Sequence, residues 1–261
     1  MYSPIYQKIL ASKERARKLS AVLIDPDKAS EKHLDQLLKC VHDAGVDLLL
    51  LGGSLLSGNR LDMVAKSIKL RTKLPLILFP GHSMQLTSEA DAILLLSLIS
   101  GRNPEYLIGQ HVQAAPTIRQ MNIETISTGY ILVDGGQMST TSYITQTIPI
   151  PSNKSEIAVA TALAGQLLGM QMMYLEAGSG ARTTLPEELV CDVVGNVGIP
   201  VWCGGGIDHP EKAYRIAGAG SDVVVFGNVF EKDTSLMNEM IRAVHAASGD
   251  YFSQKSRSKY V

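Results

Sequence analysis

Eight short apolar runs, bounded by glycine, proline or aspartate, constrain this chain more than any other feature. They lie at Ser20–Ile24, Asp47–Leu51, Leu74–Phe79, Ala92–Ser97, Glu124–Val133, Gln171–Glu176, Pro200–Cys203 and Asp222–Phe226. Most are nearly continuous Val, Leu and Ile, the pattern of parallel strands covered on both faces. Helical periodicity fills most of the gaps between them. Leu34, Leu37, Leu38 and Val41 recur behind an N-cap at Ser30, with Gly45 as the stop. A second helix starts at Asn59 and puts Leu61, Val64, Ala65 and Ile68 on one face. Further helices are expected at Glu105–Met121, Glu156–Leu168, Pro186–Val197, Pro210–Ala217 and Thr234–Ala247. Pro116 falls inside the first of these and is expected to kink or split it. The segment His82–Ala90 is too short for a full helix, so the helical ring should be irregular there.

Eight strand–helix units in 261 residues fit one (β/α)8 barrel, a fold that uses about 250 residues as a single domain. Residues 1–19 then form a helical lead-in and 248–261 a tail. A doubly wound open sheet is the alternative, but no G-x-G-x-x-G follows the first strand. A weak internal echo supports repetition: Ala44-Gly-Val-Asp-Leu-Leu-Leu-Leu-Gly-Gly resembles Ala219-Gly-Ser-Asp-Val-Val-Val-Phe-Gly-Asn. Gly135–Pro151 breaks the rhythm and reads as a long loop or small hairpin over the barrel mouth.

Composition narrows the partners. With 24 Lys and Arg against 25 Asp and Glu the net charge is −1, so there is no electrostatic footprint for nucleic acid. An anionic ligand must be held by a local site. Cys40, Cys191 and Cys203 are odd in number and widely spaced, which fits neither a disulfide framework nor a zinc site and favours a reducing cytoplasm. The N-terminal stretch carries Lys8, Lys13, Arg15, Arg17 and Lys18 without a signal-type apolar core, and reads as a solvated helix face. No run approaches the ~18 apolar residues of a membrane span. A soluble, cytoplasmic protein is expected.

In a parallel barrel, chemistry gathers where strands end. The first strand ends in Asp25-Pro26-Asp27-Lys28, which is either a helix-capping turn or a hard-oxygen Mg²⁺ ligand. The second ends in Gly52-Gly53-Ser54, a tight turn or a hydroxyl near the same metal. Gly204-Gly205-Gly206-Ile207 and Gly227-Asn228 end the last two strands, where glycines let backbone amides approach a bound phosphate. In the sixth, period two puts Met172, Tyr174 and Glu176 on one face, followed by Ala177-Gly178-Ser179-Gly180. A carboxylate ending an apolar strand needs a partner or a raised pKa, so Glu176 reads as a catalytic group or half of a structural salt bridge. Loop polarity explains His82 as well as catalysis does. Cys203 is expected to pack as a small apolar residue.

Taken in order, Leu23-Ile24-Asp25-Pro26-Asp27-Lys28, Gly52-Gly53-Ser54, Tyr174-Leu175-Glu176-Ala177-Gly178-Ser179-Gly180, Gly204-Gly205-Gly206-Ile207 and Gly227-Asn228 resemble the geranylgeranylglyceryl phosphate synthase family, which includes heptaprenylglyceryl phosphate synthases. The resemblance runs from Ser20 to about Phe230, and the Tyr130–Pro151 segment is similar to the family's longer branch. It implies a TIM barrel that joins sn-glycerol 1-phosphate to a long prenyl diphosphate through an ether bond, releasing diphosphate. It assigns Mg²⁺ to Asp25 and Ser54. Glycerol phosphate falls to Tyr174, Leu175, Glu176, Ala177, Gly178, Ser179, Gly180, Gly205, Gly206, Gly227 and Asn228, with Gly204 adjoining. In this reading Glu176 takes the proton of the glycerol 3-hydroxyl and Lys28 is placed to contact diphosphate. Apolar side chains at the mouth and along one flank hold the tail. A homo-oligomer and a transient membrane-surface contact for the lipid product are also expected.

Two other readings stand beside it. A sugar-phosphate isomerase or lyase would use the same phosphate loops but needs a paired acid and base. A non-catalytic barrel for phospholipid headgroups would need no trio of Asp25, Ser54 and Glu176. The prenyl chain length, geranylgeranyl or heptaprenyl, is not named by any motif.

Overall fold

Each apolar run pairs with two parallel neighbours, so the sheet has no edge. Residues 4–56 and 58–248 are described by a computed structural model. In it the strands β1 (Leu19–Ile24), β2 (Leu48–Leu51), β3 (Leu76–Leu78), β4 (Ala92–Leu98), β5 (Glu124–Leu132), β6 (Met172–Glu176), β7 (Val201–Gly204) and β8 (Val223–Phe226) close in sequence order. Closure joins β8 to β1 in the register Leu19↔Val223. Period two divides every strand. Leu48, Leu50, Ile77, Leu94, Tyr130, Met172, Tyr174 and Trp202 fill the interior. Leu49, Leu51, Leu76, Leu78, Ile93, Met173 and Leu175 pack outward under the helices. Two buried faces explain why the runs are apolar without alternation.

The helices are α1 (Pro4–Glu14), α2 (Glu31–Ala44), α3 (Leu61–Arg71), α4 (Gln110–Met121), α5 (Thr140–Thr145), α6 (Ser155–Leu167), α7 (Glu187–Asn196), α8 (Pro210–Gly218), α9 (Asn228–Lys232) and α10 (Met237–Ala246). The Ser30 N-cap and the left-handed Gly45 stop on α2 are as expected. So is the gap in the ring: the chain passes from β3 to β4 without a helix.

Several expectations need correction. Pro116 does not split its helix, since α4 runs through it from Gln110 to Met121. It lies on the solvent side of α4, where the Val112 carbonyl it leaves unpaired can meet water. The irregularity falls a turn earlier, in a π-helical segment at Glu105–Gly109 that leads into α4. The second helix starts at Leu61, not Asn59, and the expected Thr234–Ala247 helix is α10, which starts at Met237; the short α9 before it was not expected. Gly135–Pro151 is no hairpin. It carries α5, capped by Ser139, and its end is tied back by a parallel bridge between Val133 and Ile150.

The basic lead-in is not merely solvated either. Ile5 and Ile9 of α1 join the interior cluster and close the barrel's N-terminal end, while Glu124 accepts the Ile5 and Tyr6 amides at 2.9 and 2.8 Å. Lys13 pairs with Asp222 at 3.0 Å and Arg17 with Asp47 at 2.6 Å. Lys18 is buried, with its ammonium 3.0 Å from the Gly220 carbonyl. At the other terminus, Ser248 accepts the Lys18 amide and so is held, while the rest of the expected tail, 249–261, lies outside the described residues. The sequence echo acquires a reason here. Asp47 accepts the Ser20 amide at 3.0 Å and Asp222 the Val201 amide at 2.8 Å, each clasping the preceding strand of the ring. Asp91 does the same for Leu76 at 2.8 Å.

Candidate active site

β6 delivers Glu176 to the mouth on the interior face, one step beyond Tyr174, because the strand's outward positions are taken by Met173 and Leu175. The carboxyl is 7% exposed. Burial pushes its pKa from an ordinary 4.5 up to about 7, against the pull of the Gly178 amide and the Tyr174 hydroxyl, both of which donate to it. The Gly178 bond is 2.7 Å. No basic side chain is bonded or ion-paired to Glu176 among the described contacts, so it is not half of a salt bridge.

The glycines of β7 are shaped by this group. A side chain at Gly204 would strike the Tyr174 hydroxyl and stand 2.9 Å from Glu176 Oε2. At Gly205, with φ +88°, it would stand 2.5 Å from Oε1. Close approach and a left-handed backbone therefore both require glycine at 205. Asn228 donates to the Ser179 hydroxyl at 2.9 Å, bridging the loops after β6 and β8. Gln137, from the loop after β5, donates to the Gly180 carbonyl. The structure thus brings the β6, β7 and β8 loops together at one rim.

Next along the rim, past the β8 loop, Asp25 at the end of β1 sits beside Gly53. Its carboxylate accepts the Asp27 amide at 3.0 Å and lies 3.1 Å from the Lys28 ammonium. Lys28 is also 2.8 Å from Glu231 on α9, and these two contacts, Glu231 first, raise its pKa. The Ser54 hydroxyl meets that of Thr141 at 3.1 Å. Among the described residues no group of three or more His, Cys, Asp or Glu could hold a metal. One carboxylate and one hydroxyl still suit Mg²⁺, which keeps several waters and takes further oxygens from substrate phosphates. They do not suit a dedicated transition-metal cage.

Inside the mouth, at the ends of β3, β5 and β6, runs an aromatic wall. Tyr130 stacks on Tyr174 with ring centroids 5.3 Å apart, and Phe79 lies 5.1 Å from Tyr174. Behind Tyr130 opens a cleft lined by Ser54, Phe79, Leu96, Tyr106, Ala114 and Ile118 among others. Its walls are largely apolar, as a cleft for a hydrocarbon chain requires. It exists because no helix covers the β3–β4 side and α4 buries only Ala114 and Ile118. His82 also lines it, but its ring accepts the Met84 amide at 3.2 Å, a loop-shaping contact. Cys203 is fully buried and its thiol is pushed up to about 12, so it packs as an apolar residue.

The sequence did not point to Tyr130, Thr141 or Glu231. Tyr130 carried a signal, since period two puts it inward near the end of β5. Thr141 and Glu231 carried none, because each finds its partner on a loop far away in sequence, Ser54 after β2 and Lys28 after β1.

A closed eight-stranded barrel, with a buried high-pKa carboxyl facing phosphate-type loops and an apolar cleft, defines an enzyme that handles a phosphorylated and a hydrophobic substrate together. The model of the PcrB family matches residues 12–248, and the chain belongs to that family. A geranylgeranylglyceryl phosphate synthase of Chitinophaga pinensis is 48% identical over 95% of this chain and 98% of the relative. One of Spirosoma linguale is 46% identical over 87% and 92%. In the crystal structure of (S)-3-O-geranylgeranylglyceryl phosphate synthase from Thermoplasma acidophilum, in complex with sn-glycerol-1-phosphate, the TM-score is 0.88 at 31% identity. It covers 94% of this chain and all of that one.

Proposed function

We propose that this prenyltransferase joins the 3-hydroxyl of sn-glycerol 1-phosphate to C1 of geranylgeranyl diphosphate, giving geranylgeranylglyceryl phosphate and diphosphate. The observation that carries the reading is Glu176, a buried carboxyl with a pKa of about 7 at the same mouth as the apolar cleft. Glycerol phosphate rests against the backbone amides of Gly178–Gly180, Gly205–Gly206 and Gly227–Asn228. Its 3-hydroxyl gives its proton to Glu176 as oxygen bonds to C1 and the C1–O bond to diphosphate breaks. The Tyr174 hydroxyl and Gly178 amide hold the carboxylate in place for that transfer. Asp25 and Ser54 are the residues to hold Mg²⁺, and bound Mg²⁺ would neutralise charge on the leaving diphosphate. Lys28, already between Asp25 and Glu231, adds a second cation on that side. The tail lies along the cleft beside Tyr106, Ala114 and Ile118.

The test is incubation with labelled glycerol 1-phosphate, Mg²⁺ and prenyl donors of C15, C20 and C35. A lipid-extractable product that is most abundant with C20 supports the reading. Preference for C35 points to heptaprenyl transfer on the same site, and no extractable product with any donor overturns it. Omitting Mg²⁺ with EDTA should abolish turnover. Three free cysteines support a cytoplasmic location, and no described helix is long and apolar enough to cross a membrane. Exposed Ile157 and Leu167 on α6 and Leu168 at its C-cap support association with further copies, which sedimentation velocity will test.

A further inference from the structure

Five large apolar side chains, Leu55, Met84, Met138, Tyr143 and Ile148, are each at least 70% exposed. They sit on the loops after β2, β3 and β5. Three are sequence neighbours of cleft-lining residues: Leu55 follows Ser54, Met84 follows Ser83, and Tyr143 precedes Ile144. The Ser54–Thr141 hydroxyl contact at 3.1 Å joins two of these loops at the cleft, and Met138 and Ile148 flank it on the segment that carries α5. Ile108 and Val112, 59% and 66% exposed, continue the rim along the helical segment whose Tyr106, Gln110 and His111 line the cleft.

Charge sets this rim apart as sharply as apolarity does. Residues 52–58, 79–88 and 135–151 contain no Asp, Glu, Lys or Arg, in a chain that is 19% charged. Elsewhere the outer helices carry ion pairs, such as Arg71 with Glu31 and Asp35, and Arg215 with Glu187. A surface that must leave water without shedding ionic hydration is built this way. The neutrality of these three loops matches an interface without net charge, Glu105 on the helical part of the rim being held by Gln110 at 2.6 Å, and the cleft they surround is apolar.

We propose that this rim docks on a zwitterionic lipid surface and seats the cleft mouth against the bilayer. The hydrocarbon tail of the donor then enters, and that of the product leaves, without crossing water. The inference rests on the prenyl-transfer reading and adds where the lipid substrate comes from. An extended uncharged apolar rim of this kind marks a protein or membrane contact. Continuity with the tail's own cleft favours the membrane.

Flotation with phosphatidylcholine vesicles tests it, comparing the wild type with Met138→Ser/Tyr143→Ser/Ile148→Ser and with Ile148→Lys alone. None of the three residues lines the cleft. The wild type should float with the vesicles and the triple variant should partition about tenfold less, from the lost apolar area. Both should turn over detergent-dispersed donor equally, whereas vesicle-embedded donor should show a raised KM and unchanged kcat in the variants. A wild type that stays in the soluble fraction at every vesicle concentration overturns the proposal. So does a variant that floats normally but sediments as a smaller species, because the rim would then be an interface between copies. If flotation holds while detergent-dispersed donor gives no product, the prenyl-transfer reading fails and the docking does not.

Discussion

At the end of β6, burial lifts the Glu176 carboxyl to about 7, and the Gly178 amide and Tyr174 hydroxyl counter it in part. As a general base it must be ionised, so turnover should rise with pH through about 7 in a pH–rate profile. Glu176→Gln should lower kcat about 10²–10⁴-fold and leave the KM for glycerol phosphate within a few-fold. The same residue should cost stability. A carboxyl whose folded pKa lies above its unfolded value favours the folded state least when ionised. The penalty is absent below about 4.5, grows between 4.5 and 7, and is full above that, with an upper bound of roughly 3 kcal/mol. Glu176→Gln should therefore melt higher than the wild type at pH 8 and no higher at pH 4; equal melting temperatures at both would show that burial does not set this pKa. Much of this was legible in sequence. Period two and the cost of burying a charge single out Glu176, and glycine strings mark the loops around it. Asp25 and Ser54 were legible as residues, but the Lys28–Glu231 contact that shapes their surroundings was not. Glu231 follows Lys28 by more than two hundred positions, and nothing in local periodicity links them.

Among the elements, the stretch between β3 and β4 matters because it lacks a helix. Eight outer helices would bury every strand flank. With one missing and α4 buried only through Ala114 and Ile118, a cleft opens along β4. The sequence foretold the missing helix, since nine residues between apolar runs leave no room for one. It did not foretell the cleft's path, which depends on how far α4 stands from the sheet, nor α5, whose Thr- and Ser-rich segment has no apolar period. Ala114→Trp should fill part of the cleft from α4. The expected result is a ten- to hundredfold shift of kcat/KM from C20 toward C15 donors, on the scale of a few methylenes in an apolar pocket. The KM for glycerol phosphate should not change, because the subsite proposed for it lies across the aromatic wall of Tyr130 and Tyr174. If both donors suffer equally, the tail does not reach α4.

The whole molecule divides its charges between two ends. A net charge of −1 conceals carboxylates and cations concentrated at the closed end, where strand-start Asp47, Asp91, Asp222 and Glu124 clasp backbone amides and Lys13 and Arg17 cover two of them. The mouth is lined by glycine loops and a few paired residues, such as Lys28 with Asp25 and Glu231. Stability and chemistry should therefore separate by mutation. Asp47 is the sharpest case: it binds the Ser20 amide and hydroxyl, meets His245 at 2.8 Å and pairs with Arg17. Burial alone would raise its pKa, but the His245 and Ser20 hydrogen bonds and the Arg17 charge outweigh that and hold it low. A carboxylate held below its unfolded pKa stabilises the fold above the ordinary carboxylate range and loses that contribution as pH falls through it. Asp47→Ala strands a buried amide and hydroxyl, and should cost about 3 kcal/mol at pH 7 by urea unfolding. On acidification the gap to the wild type should narrow, because the wild type's own carboxylate is then protonated. At a temperature where both are folded, kcat/KM should match, since no substrate group reaches the closed end. A large loss of kcat/KM in a fully folded variant would mean that the two ends of the barrel are coupled.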